Sequence, residues 1–589
     1  MAGTVAELKN LIEPHSFARA LVEKYDTWNQ QRQSWISEQT ELRNYLFATD
    51  TTTTSNSTLP WKNSTTLPKL TQIHDNLIAN YISALFPNSE WLKWEAFDAG
   101  AADKEKRIAI QAYMENKLRE SGFRETILSL VEDYVIYGNA FFDVIWVNDV
   151  VTDAETGEQT TKYVGPKLVR RSVYDVVFNP VANDFASSPK ITRKLLTIGE
   201  LIAMVDKNPE DATWARDAIA KIGAIREASR GYKPYQFDKA IGFQMDGFGS
   251  LYEYYQSGLV EILEFRGDFH DMDTGEYHKN SVITVADRTH VVRNKKNPSW
   301  FGNGYMDHAG WRHRPDSLYA QGPLNNLVGM QYRIDHLENL KADVFDLIAF
   351  PPLKIIGEVE DFEWKPMSKI PIDEGGDVQM LAPDTTALNA DLQIARLEQL
   401  MEEFAGSPRE TMGFRTPGEK TAFEVQTLIT AASRIFQEKI TQFEVVMERV
   451  LNSMLEMARR NMDGSDVVRI LDPDIGVEQF LTITKEDIIA KGKLRARGAR
   501  HFAAQAQLVQ NLTQLSGTPI WEQIKPHMSS KALAKVVEDA LNLDQYNLIR
   551  DNVGVIEQGD TARIAQKVQQ DVEVESQIDE DVPNGPAVQ

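Results

Sequence analysis

The stretch with most chemical promise is Gly406-Ser-Pro-Arg-Glu-Thr-Met-Gly-Phe-Arg-Thr-Pro-Gly-Glu-Lys-Thr421. Gly413 and Gly418 have the spacing of a phosphate-binding loop, in which backbone N–H groups cradle the anion and a lysine reaches over it, and Lys420-Thr421 nearly completes the pattern. Glu419 intrudes between the second glycine and the lysine, where a carboxylate repels phosphate. The loop also follows a helical pattern where a phosphate loop needs a buried strand. His270, Asp271, Asp273 and His278 are of metal-ligating types, but Asp273-Thr-Gly275 suits a hairpin turn better and no other clustered histidine joins them. Lys491, Lys493, Arg495, Arg497 and Arg500 form a basic run that could face DNA, although a solvated helix start or ion pairs between subunits fits it better. Asn56-Ser57-Thr58 and Asn63-Ser64-Thr65 match the glycosylation pattern but lie in a Ser/Thr-rich stretch, 49–67, that reads as an exposed loop. No nucleophile sits with a base, so the expectation is a non-enzyme with no metal and no cofactor.

Composition narrows the class. With 589 residues, 42% of them hydrophobic, the chain can bury several cores. It carries 63 basic against 86 acidic residues, a net charge of -23, which argues against a tight grip on nucleic acid. No apolar run approaches the roughly 20 residues a bilayer demands, and the start, Met1-Ala-Gly-Thr-Val-Ala-Glu, lacks a secretion signal, so residence in the cytoplasm and no membrane contact are expected. The absence of cysteine excludes disulfides and thiolate metal sites.

Positioning falls to a pair of predicted helices. Leu327, Met330, Ile334, Leu337, Val344 and Ile348 follow helical spacing, interrupted where Lys341 takes a seam position, which predicts a helix over 323–349 of about 40 Å. Arg333, Asp335, His336, Glu338, Asp343 and Asp346 should form its wet face. Pro351-Pro352 ends it. A second helix should begin near Asn389 as N-cap, pack through Leu392, Ala395, Leu400 and Phe404, and stop at Gly406. Between them Leu353–Val359 and Val378–Leu381 read as strands with a turn at Gly375-Gly376.

Elsewhere the pattern predicts helices over 16–47, 70–85, 107–119, 123–137 and 199–227. Strands are expected at Trp91–Phe97, Ala140–Val147 paired with Tyr163–Arg170, Leu259–Phe265 and Val282–Val292. A helix of about 60 Å runs from Thr421 to Arg460, short strands cover Val467–Leu471 and Phe480–Ile483, and mostly helical chain follows Lys485. Asp571–Asp581 is acidic and should be disordered.

The phrase GPLNNLVGMQYRIDHLENLKAD, followed by tip and second helix, resembles the stem and clip of phage portal (head-to-tail connector) proteins, particularly those of short-tailed phages. Ala84-Leu-Phe-Pro-Asn-Ser-Glu-Trp91, Tyr137-Gly-Asn-Ala-Phe-Phe142, Val173-Tyr-Asp-Val-Val-Phe-Asn-Pro180 and Thr416-Pro-Gly-Glu-Lys-Thr-Ala-Phe-Glu-Val425 resemble further elements of that family, in its order. The resemblance implies an α+β, helix-rich chain with a wing (1–318), a first stem helix (319–350), a small α/β clip (351–386) and a second stem helix (387–405). A tunnel loop (406–420), a long wing helix with return strands (421–490), a helical crown (491–570) and the acidic tail (571–589) would follow. It implies a ring of twelve identical chains at one capsid vertex, assembled in the host bacterial cytoplasm and passing double-stranded DNA without reading its sequence. Arg409, Arg415 and Lys420 would lie nearest DNA. The clip around Glu358, Glu363, Trp364 and Lys365 would dock terminase and then tail adaptors, and scaffolding and major capsid proteins would be further partners. Two rivals stand beside this reading: another virion component of the tail or internal core, and an ATP-dependent motor using Lys420.

Overall fold

A computed structural model describes residues 16–86, 91–97, 104–152, 159–206, 213–228, 258–271, 275–299, 305–357, 376–381, 385–405, 422–462, 464–471, 478–488 and 492–496. In chain order these hold α1 (Ser16–Gln31), α2 (Gln33–Leu46), α3 (Lys69–Leu85), β1 (Leu92–Ala96), α4 (Lys104–Glu120), α5 (Phe123–Ile136), β2 (Asn139–Thr152), β3 (Gln159–Arg171), β4 (Val176–Phe178) and β5 (Lys190–Thr197). Then come α6 (Ile198–Asp206), α7 (Arg216–Ala228), β6 (Leu259–His270), β7 (Tyr277–Ala286), β8 (His290–Lys296), β9 (Met306–Gly310), β10 (Arg312–His313) and β11 (Ala320–Gln321). The rest is α8 (Val328–Ala349), β12 (Leu353–Ile356), β13 (Asp377–Met380), α9 (Asp391–Ala405), α10 (Ala422–Asn461), β14 (Ser465–Leu471), β15 (Glu478–Thr484), α11 (Lys485–Ile488) and β16 (Gly492–Ala496). Helices and small sheets mix along the chain, an α+β class.

Period-two alternation places the largest sheet, antiparallel in the order β4-β5-β6-β7-β8, between two helical layers. Leu263 and Phe265 of β6 face Phe17, Leu21 and Tyr25 of α1. Val260 and Ile262, one residue out of phase, face Leu201 and Val205 of α6 and Ile219 and Ile222 of α7. The second sheet, β3-β2-β9, pairs Phe142 with Arg170 and Val147 with Gly165, as the alternation requires. Phe443 of α10 packs over it, 5.4 Å from Phe142 and 5.2 Å from Tyr134 of α5 between ring centroids.

Buried charge ties the sheets together. Asp143 of β2 accepts from Arg266 of β6 at 2.7 Å and pairs with Arg171 of β3 at 2.7 Å. Burial raises this carboxyl, yet the two guanidiniums outweigh it and hold the pKa below the usual aspartate value. Arg266 also meets Glu264, which Lys194 approaches at 2.8 Å.

One strand and one helix expectation change. Val282–Val292 is two strands rather than one: the chain reverses at Asp287 and Arg288, whose φ values of 57° and 58° are left-handed. The turn carries no glycine or asparagine; Arg288 bonded to Glu261 at 2.6 Å and Arg226 to Asp287 at 3.1 Å supply the constraint instead. The basic run after Lys485 is likewise not helical where it is described, since residues 492–496 pair with β1 and Arg495 bonds Glu95 of the same chain. Among the described residues β14 and β15 pair only with each other, and most of both falls in a second compact unit. The expected crown helices and acidic tail lie outside the described residues.

Gly138 joins α5 to β2 at φ +69°, where an added Cβ would stand 2.3 Å from the backbone of Gln321 and Gly322 just ahead of α8. Gly138→Ala should therefore cost at least about 3 kcal/mol, combining left-handed strain with backbone overlap. Gly329→Ala, in the first turn of α8 with nothing within 4 Å of the new methyl, should be neutral or stabilising by up to about 1 kcal/mol. Urea unfolding of the two variants beside the parent checks both.

Candidate assembly site on the helical hairpin

A 3-10 turn over Asn325–Leu327, with Gly322 N–H donating to Asn325 Oδ1 at 3.1 Å, leads into α8, so the helix proper starts a few residues later than the sequence predicts. Of the six seam residues, Leu327, Ile334, Leu337 and Val344 are buried and Met330 is half-buried, whereas Ile348 is 44% exposed. The reason is positional. From Phe345 to Phe350 every residue is exposed, because the helix has run past the end of the body.

The face predicted to stay wet is partly covered: Asp335 is buried and His336, Glu338 and Asp343 are half-buried, while Arg333 and Asp346 stay exposed. Residues 61–67 lie extended along α8 as a strap running antiparallel to it, bonded to side chains four positions apart. Asn63 N–H and Nδ2 donate to Asp343 Oδ1 at 3.1 and 2.7 Å. Thr65 N–H donates to Asn339 Oδ1 at 2.8 Å, while Asn339 Nδ2 returns a bond to Thr65 O at 2.8 Å. Leu67 N–H and Thr66 Oγ1 reach Asp335 Oδ1 at 3.1 and 3.0 Å. Gln331 closes the ladder, donating to Leu67 O at 2.5 Å and accepting from Leu70 N–H at 3.1 Å. Alternate residues of an extended chain advance about 6.6 Å and four helical residues about 6.0 Å, so rungs at 63, 65 and 67 meet 343, 339 and 335 in step. Trp61 Nε1 adds a bond to His336 Nδ1 at 3.1 Å. The stretch 49–67 is a surface loop ordered against the body: Thr52, Thr53, Ser57 and Ser64 are exposed, whereas Asn56 is buried with its amide on Tyr332 O and the Asn63 amide is held by Asp343 and Asp346.

Beyond Pro352 the chain forms the two-stranded tip, Leu353 opposite Met380 and Ile356 opposite Asp377. It returns through a 3-10 turn at Thr386–Ala390 into α9, so the α-helix begins at Asp391 rather than being capped by Asn389. The packing face of α9 differs from the predicted one. Ile394, Met401 and Ala405 are buried, and Leu392, Ala395 and Phe404 are exposed, Leu392 by 82%. Glu402 explains the rotation: its buried carboxylate pairs with Lys69 at the start of α3, fixing the inward face. Lys341, the interruption in the α8 seam, bridges the limbs, reaching Glu338 at 2.8 Å and Asp391 at 2.9 Å. Those hydrogen bonds raise its pKa.

Together the free end of α8 (Phe345, Leu347, Ile348, Phe350), the tip (Ile355, Met380, Leu381) and the outward side of α9 (Leu392, Phe404) display large exposed apolar side chains close along the sequence. Singly such residues are ordinary; gathered on one protruding hairpin they mark an interaction surface. The predicted clip residues Glu358, Glu363, Trp364 and Lys365, and the predicted loop residues Arg409, Arg415 and Lys420, lie outside the described residues. The elements either side of 406–421 are helices, α9 and α10. Of the metal candidates, Asp273 is outside the described residues, His278 packs 5.1 Å from Phe17 and lies 3.6 Å from Glu276, and Gly275 N–H donates to Asp271 O as in a turn. Among the described residues no group of three His, Asp or Glu could hold a metal ion, and no helix is long and apolar enough to cross a membrane. The Gln331/Asp335/Asn339/Asp343 ladder was missed in the sequence, although polar residues at a strict four-residue interval were its visible signal.

Removing one member of a buried ion pair leaves the other charge without compensation, at a cost of about 3–5 kcal/mol, while replacing both with apolar groups is close to neutral. Lys69→Met alone should therefore destabilise by about that amount, and Lys69→Met with Glu402→Leu should regain most of it in urea unfolding.

No protein-family model matches this chain, and no curated protein matches it significantly.

Proposed function

We propose that this chain is a portal subunit: copies arranged in a ring wall a channel at one capsid vertex, through which double-stranded DNA enters during packaging and leaves on ejection. The observation that supports it best is the hairpin, two helices joined by a small two-stranded tip, whose outer apolar side chains have no partner within the described chain. In a ring each subunit meets its neighbours through two different patches, and the hairpin offers one on the end of α8 and another on α9. The buried side of each limb is fixed to the body, α8 by the strap and α9 by Glu402, so the remaining sides are free for neighbouring copies. A net charge of -23 suits a wall that DNA must pass without adhering. In this reading the tip docks terminase and then tail adaptors, and the chain itself performs no chemistry.

Negative-stain imaging of the purified protein should show rings with a central channel and, in projection, twelvefold symmetry. Phe345→Asp with Leu392→Asp should reduce the rings to monomers with unchanged far-UV circular dichroism, because both side chains lie outside the monomer core. A wild-type protein that is monomeric, or forms closed particles without a channel, overturns the reading, as does a double variant that still assembles.

A further inference from the structure

Asp335 is the least satisfied rung of the strap ladder. Its side chain is fully buried, Oδ1 accepts from Thr66 Oγ1, Leu67 N–H and Gln331 Nε2 at 3.0, 3.1 and 2.9 Å, and every one of these donors is neutral. Oδ2 is buried and meets no donor among the described residues. A buried ionised carboxylate with one bare oxygen is costly, and that cost is relieved if the strap lifts and water enters. The other rungs carry no such tension: Asn339 and Gln331 are neutral with both ends bonded, and Asp343 accepts on both oxygens near solvent.

We propose that Asp335 is a proton-operated clasp: protonated, it lets residues 61–67 lie closed along α8, and ionised, it drives local peeling of the strap from the helix.

Among the described residues no cation is bonded to Asp335, and Arg333 on the same helix is exposed. On α8 itself His336 bonds Trp61, Glu338 pairs with Lys341, and Asp343 lies two turns on. The strap's own Lys62 is bonded through its backbone to Asp343. From α2 comes Tyr45, whose hydroxyl is raised by burial and, among smaller contributions, by the charges of Glu41 and Asp335. Lys69, at the start of α3, is held by Glu402 and Gln72. Burial accordingly outweighs the three hydrogen bonds and lifts the Asp335 carboxyl from 3.8 to about 6. For an acid raised on closing, the stabilisation is complete below about pH 3.8 and is lost as pH rises through about 6. Closure is favoured on the acid side, and the opening equilibrium can change by up to roughly a hundredfold across that window.

Hydrogen–deuterium exchange of the full chain, corrected for intrinsic amide rates, reads this directly at the Thr65 and Leu67 amides. Protection there should fall at least tenfold between pH 4.5 and 7.5 while amides in the middle of α10 stay constant. Asp335→Asn should abolish the pH dependence. Thr66→Val, which deletes one donor to the ionised form and leaves the rest of the ladder, should move the midpoint upward, and it decides the matter should Asp335→Asn fail to fold. Protection that is flat with pH in the parent, pH dependence retained in Asp335→Asn, or an unmoved midpoint in Thr66→Val overturns the proposal. None of these readouts depends on ring formation, so the clasp and the portal reading stand or fall separately.

Discussion

A stretch of chain that lies against a helix without a strand beside it must find partners for its backbone groups, and for residues 61–67 those partners are side chains of α8. Backbone N–H groups at 63, 65 and 67 would otherwise be covered and unsatisfied, at about 1–3 kcal/mol each. Meeting them in step fixes the rotation of α8 about its axis. Once Gln331, Asp335, Asn339 and Asp343 face the strap, Ile334, Leu337 and Val344 fall on the body, and the last turn, which the strap touches only through Asn63 on Asp346, is left exposed. Exposure of Phe345 and Ile348 is thus a consequence of hydrogen bonding some turns away.

The second limb is held by a different device. α9 buries little apolar surface, through Ile394, Met401 and Ala405, and one charge pair between Glu402 and Lys69. A buried ion pair contributes modestly to stability but strongly to which arrangement is allowed, since any rotation that separates the partners strands a charge. That selects the inward face of α9 over the more apolar alternative of Leu392 and Phe404. Glycine sets the root of the hairpin in the same manner, by exclusion: Gly138 and Gly322 approach so closely that neither tolerates a Cβ, with Ile136 O 2.7 Å from where that of Gly322 would stand.

Much of this architecture was legible in the residues, and the failures share a cause. Helical period located both limbs of the hairpin and the long α10, and alternation paired β2 with β3, because burial imposes those repeats directly. Hydrophobic spacing could not choose between two faces of α9, since the choice lies with a pair 333 residues apart in sequence. The turn at Asp287-Arg288 was invisible for the same reason: its left-handed residues are held by Glu261 and Arg226, not by local preference. The Thr-rich strap read as loop because its order comes wholly from another element. Of the proposed site residues only the α8 seam falls within the described chain, and five of its six are at least partly buried.

The distribution of these constraints bears on how copies could meet. A two-fold contact requires one patch that complements itself, whereas a ring requires two patches that complement each other. The strap occupies one flank of α8 and the Glu402 pair pins one flank of α9, and the exposed apolar residues left on the two limbs differ in composition. Phe345 and Ile348 project from the last turns of α8, and Leu392 and Phe404 from opposite ends of α9. A two-fold contact buries both sets when the end of α8 on each copy meets α9 of the other, and the proposed ring would pair the same two sets head to tail.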